Sequence, residues 1–242
     1  MHRVLYLFLS NWAIDRLRRS GLLPSLKSGA RPAEEAPFAT VIAASGRQIL
    51  AAVNPAAAAK GIAAGMPLAD ALSFLPGLLT RPAELAEDAA ALRHLAEWCG
   101  RYSPWTAPDG SDGVKIEITG SAHLWGGEAE LTADLSQRLA RQGIAHRLAI
   151  ADTLGAAWAV ARFASREKES PSRCRLAALA AKFIVPPGQA GAALAPLPTA
   201  ALRLDPAVVE GLHRVGLRRV GEAMAMPRDT LARRFGETVA SR

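Results

Sequence analysis

Apolar positions along the first two thirds of the chain follow strand and helix periods in alternation. Residues 3–9 form a near-continuous apolar run of strand length, which predicts a central strand covered on both faces. Residues 114–118 alternate between apolar and charged side chains, the period-2 pattern of a half-buried strand. Residues 146–151 predict a further strand. Two β-capable runs, 40–44 and 48–53, predict a hairpin because a Ser-Gly turn joins them.

Helical periodicity fills the segments between these strands. Apolar side chains recur at three- and four-residue spacing in 85–99 and in 128–141, as in amphipathic helices. Asp152 or Thr153 is placed to cap a further helix that runs to about Phe163. The shorter predicted elements are a helix around Ile14 and Leu17, helices at 56–60 and 68–75, and a strand near 78–81.

The order of these elements predicts an α+β fold, in which a mixed sheet carries helices on one face. Residues 165–175 are charged and lack periodicity, and residues 20–37 are rich in Gly, Pro and Ser, so both are predicted to be loops or linkers. Beyond residue 190, prolines divide the chain into short helices. A small separate helical module is therefore predicted there, with a boundary near 165–190.

The composition is ordinary for a soluble globular protein. Half of the 242 residues are apolar and 21% are charged. No apolar run approaches the roughly 18 residues that span a bilayer. The N-terminal apolar run meets Asn11 and Asp15 too early for a signal peptide. These features predict a cytoplasmic protein without a membrane partner.

The charge of the chain indicates a polyanionic partner. The formal net charge is +7 and the isoelectric point is about 10.1. Lysine and arginine that neutralise phosphates supply most non-specific affinity for nucleic acid. The excess of arginine over lysine in an alanine-rich chain is equally explained by a GC-rich coding genome. Charge alone therefore leaves nucleic-acid binding open.

Other chemistry-bearing residues do not form a recognisable site. Cys99 and Cys174 lack the paired spacing of a zinc site and are predicted to be buried thiols. The histidines have no i, i+4 pairing, so no metal site is predicted from them. Packing between elements, rather than stacking on nucleobases, is expected of four tryptophans: Trp98, Trp105, Trp125 and Trp158.

Residues 109–127, DGSDGVKIEITGSAHLWGG, resemble the palm strand of Y-family, translesion-type DNA polymerases. Three further segments carry the same resemblance in the same order along the chain. They are GIAAGMPLADA at 61–71, similar to the fingers segment; LAIADTLGAAWAVA at 148–161, similar to the stretch after the palm sheet; and LHRVGLRRVGEAMAMP at 212–227, similar to the thumb. Four collinear segments are far more specific than a single glycine pair.

The best agreement is with the Y-family-like proteins of bacterial mutagenesis cassettes, which share the segments Trp12–Arg19 and RYSPW at 101–105. The little-finger domain of the family is absent from these residues, so a fragment or a truncated relative is expected. The resemblance implies three parts: a palm at 1–19 and 77–166, small fingers at 20–76, and a linker with a helix-hairpin-helix thumb at 167–242.

The resemblance implies that the metal-binding carboxylates of the family are replaced. Polymerase chemistry uses two magnesium ions held by hard oxygen ligands. Phe8 falls on the first family carboxylate, Asp112 on the second, and Gly113 on the adjacent glutamate. No metal site or cofactor is therefore expected, and Mg²⁺ would be needed only by an active polymerase. Asp112 is expected to be a solvent-facing turn acid, while a residual metal or polar-network role stays open.

The nucleotide-binding side chains are also replaced. In the family a tyrosine and an arginine of the fingers and a lysine after the palm hold the triphosphate through charge-assisted contacts. The positions that match them are Pro55, Ala58 and Leu154. The resemblance therefore implies that no nucleotide site remains.

DNA contacts are expected from the thumb. The first thumb hairpin of the family carries glycines that approach a phosphate, whereas residues 203–205 are Arg-Leu-Asp. A solvated helical face is the alternative for the thumb arginines. Sequence-independent phosphate contacts are predicted for Arg214, Arg218, Arg219 and Arg234, with Arg228 and Arg233 as further candidates.

The function that the resemblance implies is that of a non-catalytic, polymerase-like accessory protein in SOS-type DNA damage tolerance and mutagenesis. Its implied partners are weakly bound DNA, an error-prone replicative-type polymerase, a RecA-like protein and the sliding clamp. The alternative is an active error-prone translesion polymerase that uses Asp112, Glu117 and Asp109 as displaced ligands. An unrelated cytoplasmic α+β protein would leave the order of the motifs unexplained.

Overall fold

The computed structural model describes residues 2–23, 36–44, 46–164, 183–236 and 239. Within these residues the strands form a four-stranded sheet in the order β5-β6-β1-β7 and a three-stranded sheet in the order β3-β2-β4. The strands are β1 (Val4–Phe8), β2 (Phe38–Ala44), β3 (Arg47–Val53), β4 (Leu79–Pro82), β5 (Thr106–Pro108), β6 (Gly113–Glu117) and β7 (Arg147–Ala151).

The helices follow the predicted periodicity closely. The segment predicted at 128–141 is helical over those same residues, and Thr153 caps the next helix by accepting a hydrogen bond from the Ala156 amide. The helices are α1 (Trp12–Arg19), α2 (Pro55–Ala58), α3 (Leu68–Phe74), α4 (Leu85–Cys99), α5 (Glu128–Arg141), α6 (Leu154–Phe163), α7 (Ala190–Leu194), α8 (Pro206–Arg214), α9 (Val220–Met224) and α10 (Arg228–Phe235). Two 3₁₀ turns lie at Ala122–Trp125 and Thr199–Leu202.

Strand β1 is the centre of the larger sheet and pairs antiparallel with both β6 and β7. Phe8, at its C-terminal end, has Gly113 as its register partner on one side and Arg147 on the other. The apolar run at 3–9, predicted to be a central strand, is therefore an inner strand of this sheet. An isolated parallel bridge joins Ile150 of β7 to Ile184.

The α+β class is confirmed, but the expectation that helices cover only one face of the sheet needs correction. Leu5 and Leu7 of β1 pack in a core with α4 and α5. Tyr6 points to the opposite face, where it packs in a second core with α6. Successive side chains of a strand alternate between faces. An entirely apolar central strand therefore needs cover on both.

The smaller sheet contains the predicted hairpin. Gly46, at a φ of +75°, forms the turn between β2 and β3, a conformation that glycine adopts without steric cost. Strand β4 runs parallel to β2 and belongs to this sheet. Leu50, Ile62 and residues of α2 and α3 close a separate small core beside it. The division into palm, fingers and thumb at the residue numbers given above remains a prediction.

The C-terminal helices pack on α6 and on each other. Val185, Leu197 and Val220 join the core that α6 forms with the sheet. Leu212 and Leu231 form a smaller core between α8 and α10. The linker predicted at 165–175, Cys174 and much of the loop predicted at 20–37 lie outside the described residues. Cys99 is buried, as predicted, and burial raises the pKa of its thiol to about 12.

Candidate active centre and nucleic-acid interface

The end of β1 and the start of β6 form the place at which the resemblance implies catalytic carboxylates. Phe8 and Gly113 are register partners, so their side-chain positions lie on the same face of the sheet. Asp112 directly precedes β6, and its carbonyl accepts a hydrogen bond from the Leu9 amide at 2.8 Å. The structure therefore brings Phe8, Asp112 and Gly113 together.

Gly113 is adjacent to the ring of Tyr6. A Cβ atom at position 113 would lie 1.9 Å from the Tyr6 Oη and 2.6 Å from its Cζ. The Tyr6 hydroxyl donates a hydrogen bond to the Asp109 carbonyl at 3.4 Å, and burial raises the pKa of Tyr6, which keeps the phenol neutral. The phenol thus occupies the space that a side chain at position 113 would need.

Asp112 is held by an arginine of α6. Arg162 donates from both terminal nitrogens to the two carboxylate oxygens, one contact measuring 3.0 Å, while its guanidinium lies 4.3 Å from the centre of the Phe8 ring. Burial alone would lower the pKa of Arg162, but its hydrogen bonds to Asp112 raise it, so the pair is ionic. Asp112 is therefore not the solvent-facing turn acid that was expected; the polar-network alternative describes it.

A second arginine extends this network to the C-terminal helices. Arg203 forms an ion pair with Asp109 at 2.8 Å, and its guanidinium lies 4.7 Å from the centre of the Trp158 ring. Arg162 contacts the same ring at 5.0 Å. Arg203 has a φ of +54° and is the one non-glycine residue with a positive φ among the described residues. Arg203, which matches a glycine of the family's thumb hairpin, therefore directs its side chain toward Asp109 and Trp158.

The donor set at this centre does not fit magnesium. Phe8 and Gly113 offer no side-chain oxygen, and Asp112 and Asp109 are each paired with an arginine. Glu117 lies at the other end of β6, beside Val4, where it pairs with His2 at 2.5 Å. Across the parts of the chain that the structure describes, no three His, Cys, Asp or Glu side chains converge as a metal site would require.

A cleft of about 560 Å³ lies between the larger sheet and the hairpin sheet. Pro55 and Ala58 line it, as expected from their match to nucleotide-binding positions. Among the residues that the structure describes, its charged lining residues are Asp88 and Asp112, both acidic, and Asp88 is paired with Arg16. An anionic triphosphate would therefore meet no cationic side chain among these described lining residues.

Leu154 is not brought to this cleft. It lines a separate depression with Val4 and Trp105. Helix α6 begins after β7 at the end of the sheet where Ala151 pairs with Val4, and it runs back toward Asp112. Leu154 is therefore at the wrong end of the sheet to contact a nucleotide in the cleft.

The predicted DNA-binding arginines are all exposed, and they lie in the C-terminal helices or in the connection between α8 and α9. Each backbone amide of residues 215–219, between α8 and α9, already donates to an acceptor within the protein. Phosphate contacts at this hairpin would therefore come from side chains. The predicted DNA-binding arginines that are exposed here are Arg214, Arg218, Arg219, Arg228, Arg233 and Arg234.

The sequence does not predict which residues organise the centre, and in the structure they are Tyr6, Trp158, Arg162 and Arg203. One usable signal was present, because Arg162 is the single charged residue of α6. The expectation for Trp105 is wrong, since its side chain is 74% exposed and is not packed between elements.

The chain is similar in sequence to two kinds of curated relative. The chain is 50% identical over 176 residues to Protein ImuB of Caulobacter vibrioides (strain NA1000 / CB15N), covering 73% of the chain and 35% of that relative. It is 26% identical over 194 residues to DNA polymerase IV of Salmonella choleraesuis (strain SC-B67), covering 79% of the chain and 51% of the relative. The chain thus spans between about a third and a half of these relatives' lengths.

Solved structures share the fold. DinB from Sulfolobus solfataricus matches the whole chain with a TM-score of 0.72 at 15% identity, and the chain covers 65% of it. The insertion ternary complex of Dbh DNA polymerase matches 99% of the chain with a TM-score of 0.76 at 14% identity, again over 65% of that structure. No described helix is long and apolar enough to cross a membrane. Since the impB/mucB/samB family model matches residues 31–162, more than half of the sequence, the chain belongs to that family of Y-family polymerase homologues.

Proposed function

We propose that this chain is a non-catalytic polymerase-like module that acts in DNA damage tolerance and damage-induced mutagenesis by binding DNA and partner proteins. The observation that carries the proposal is the pairing of Asp112 with Arg162 beside Phe8 and Gly113. At this centre an arginine side chain neutralises the remaining carboxylate.

The proposal follows from what nucleotidyl transfer requires. Two metal ions must activate the attacking oxygen and stabilise the leaving one, and several converging carboxylates must hold them. Asp112 would have to release Arg162 before it could bind a metal ion, and its neighbours Phe8 and Gly113 could contribute no oxygen. Restoring one carboxylate would therefore not restore catalysis.

DNA binding is proposed to be weak and independent of sequence. The exposed arginines at 214, 218, 219 and 234 offer positive charge from α8, from α10 and from the connection between α8 and α9. Such contacts neutralise backbone phosphates and carry no base information. Affinity should therefore fall steeply with salt, with a slope of log affinity against log salt of about −0.9 for each phosphate neutralised on duplex DNA.

The partners proposed for the whole protein are those implied by the family: an error-prone replicative-type polymerase, a RecA-like protein and the sliding clamp, in a bacterial cytoplasm under the SOS response. The 50% identity to Protein ImuB supports this assignment. The chain spans 35% of that relative, so surfaces outside these residues are expected to share in partner binding.

Primer extension tests the loss of catalysis. The purified chain would be mixed with primed template, the four dNTPs and either Mg²⁺ or Mn²⁺, with DNA polymerase IV from Salmonella choleraesuis as the positive control. We expect no extension under conditions in which the control extends fully. Metal-dependent extension by the chain would instead favour the active translesion polymerase with Asp112, Glu117 and Asp109 as ligands.

Fluorescence anisotropy with a labelled duplex tests the DNA contacts separately. The double variant R218A/R219A should weaken binding. It should also reduce the magnitude of the salt slope by about 0.9 to 1.8, the value for one to two phosphate contacts on duplex DNA. Arg93→Ala is the matched control, since Arg93 is exposed on α4, on the face of the sheet opposite α6. Equal binding by R218A/R219A and R93A would exclude the hairpin arginines from the interface.

A further inference from the structure

Helix α6 packs on one face of the larger sheet, against β1 and β7. Among the described residues, no other helix lines the part of that face at Trp105, Lys115 and Glu117. A depression of about 370 Å³ lies there. Its lining includes Val4, Trp105, Ala107, Lys115, Glu117 and Leu154.

Trp105 is an exposed aromatic residue in the lining of this depression. Its side chain is 74% exposed, although the four other tryptophans of the chain are more deeply placed. Its backbone is fixed, because its amide donates to the Ser103 hydroxyl at 3.2 Å and its carbonyl accepts from the Glu117 amide at 2.9 Å. The backbone that carries the indole is thus held at the sheet edge. A flat ring could stack on the exposed indole without any ordering of the Trp105 backbone.

Lys115 supplies the positive charge of the depression. It pairs in register with Ala107, so its side chain shares the face on which the depression lies. Glu117 is the one acidic residue in the described part of the lining, and it is already paired with His2 and accepts hydrogen bonds from Thr119. Lys115 has no hydrogen bond or ion pair to any other residue that the structure describes, so its ammonium is available to an anion.

We propose that Trp105 and Lys115 form a subsite for one nucleotide of single-stranded DNA, with the base stacked on the indole and an adjacent phosphate at the ammonium. This inference rests on the proposed DNA binding. Charge complementarity favours a nucleic acid, because the unpaired cation beside an exposed aromatic ring matches a base with its phosphate. The lining residues that the structure describes provide no set of donors and acceptors that would read a base edge, so the subsite is proposed to be independent of sequence.

The test measures the affinity of a fluorescein-labelled oligo-dT of twelve nucleotides by anisotropy. Trp105→Ala should weaken binding by roughly 5- to 100-fold, the range for loss of one base stack, whereas Trp105→Phe should stay within about threefold of the wild type because a ring remains. Lys115→Ala should lower the salt slope by about 0.7, the value for one phosphate on a single strand. A duplex of the same length should respond less to W105A, because its bases are already stacked.

Leu124→Ala is the matched control, since Leu124 is also 74% exposed and lies in the turn before α5, outside the depression. Equal affinity of W105A and L124A for the oligonucleotide would overturn the subsite. If R218A/R219A still weakened duplex binding in that case, the proposed DNA-binding function would stand. Absence of any binding by the wild type would overturn both.

Discussion

Asp112 and Arg162, fifty residues apart in the chain, form a two-point ion pair that joins the start of β6 to the end of α6. The guanidinium also stacks on Phe8, the register partner of Gly113. A cation of the protein itself thus neutralises the carboxylate that resembles a metal ligand. The ion pair compensates for the desolvation of the Asp112 carboxylate at its partly buried position.

Removal of Arg162 should destabilise the fold. We expect Arg162→Ala to lower the free energy of unfolding by about 2–3 kcal/mol, because it breaks charged hydrogen bonds and leaves Asp112 unpaired at a partly buried position. Urea denaturation followed by circular dichroism measures the change. Arg138→Ala is the control, since the Arg138 side chain, paired with Asp134 on α5, is 41% exposed against 20% for Arg162. Surface pairs of this kind contribute little, so equal losses in the two variants would contradict a structural role for Arg162.

Gly113 should not tolerate a side chain. Gly113→Ala would place a methyl group within 1.9 Å of the Tyr6 hydroxyl oxygen, so we expect a loss of about 1–3 kcal/mol, as in overpacked cores. Gly155→Ala is the control, because position 155 of α6 has open space and should be stabilised by about 0.4–1 kcal/mol. In a Tyr6→Leu background the cost of G113A should shrink. An unchanged cost in that double-mutant cycle would show that Tyr6 is not the obstacle.

Arg203 should show opposing contributions from its backbone and its side chain. Arg203→Ala and Arg203→Gly both remove the Asp109 ion pair and the contact with Trp158. Glycine adopts the φ of +54° at this position without the penalty that alanine has. R203G should therefore be more stable than R203A by about 0.5–1 kcal/mol in urea denaturation. The reverse order would mean that residue 203 is not left-handed in solution.

Asp152 should contribute to stability in a pH-dependent way. The Gly188 amide at 2.6 Å and then Arg3 at 2.8 Å lower the pKa of Asp152 below its ordinary value of 3.8. A lowered pKa of this kind stabilises the fold fully above the ordinary value, and the contribution disappears as the pH falls through the folded-state value. Wild type should exceed Asp152→Asn in stability at pH 7 and at pH 5.

Urea midpoints at pH 7, 5 and 3 measure this dependence. The difference between wild type and D152N should shrink at the lowest pH, and it should be smaller throughout in an Arg3→Met background, which lacks one of the two partners. A difference that stays constant from pH 7 to pH 3 would rule out ionisation of Asp152 as its source.

Most secondary structure could be predicted because its causes are local. The helix at 128–141 follows from the spacing of its leucines, and the hairpin follows from a Ser-Gly turn between β-capable runs. The strand at 114–118 follows from strict alternation. The partners of these elements could not be read in the same way, because strand β4 pairs with β2 across some forty residues of chain.

The candidate centre likewise combines features that the sequence predicts with features that only the tertiary structure sets. The identities of Phe8, Gly113, Pro55 and Ala58 are matters of sequence, and the family resemblance predicts from them that metal and triphosphate ligands are replaced. What stands in their place depends on contacts between residues distant in the chain. Arg162, one arginine at the end of an apolar helix, carries no local signal of its partner.

The sequence by itself thus determined the elements, the family and the identities of the residues that match the family's metal and triphosphate ligands, because periodicity and side-chain chemistry are properties of neighbouring residues. The tertiary structure decided that α6 crosses the sheet toward Asp112, that Tyr6 occupies the space beside Gly113, and that Trp105 remains exposed. Each of these depends on how helices pack on the two faces of one sheet. Long-range packing sets those positions, and the local sequence does not encode them.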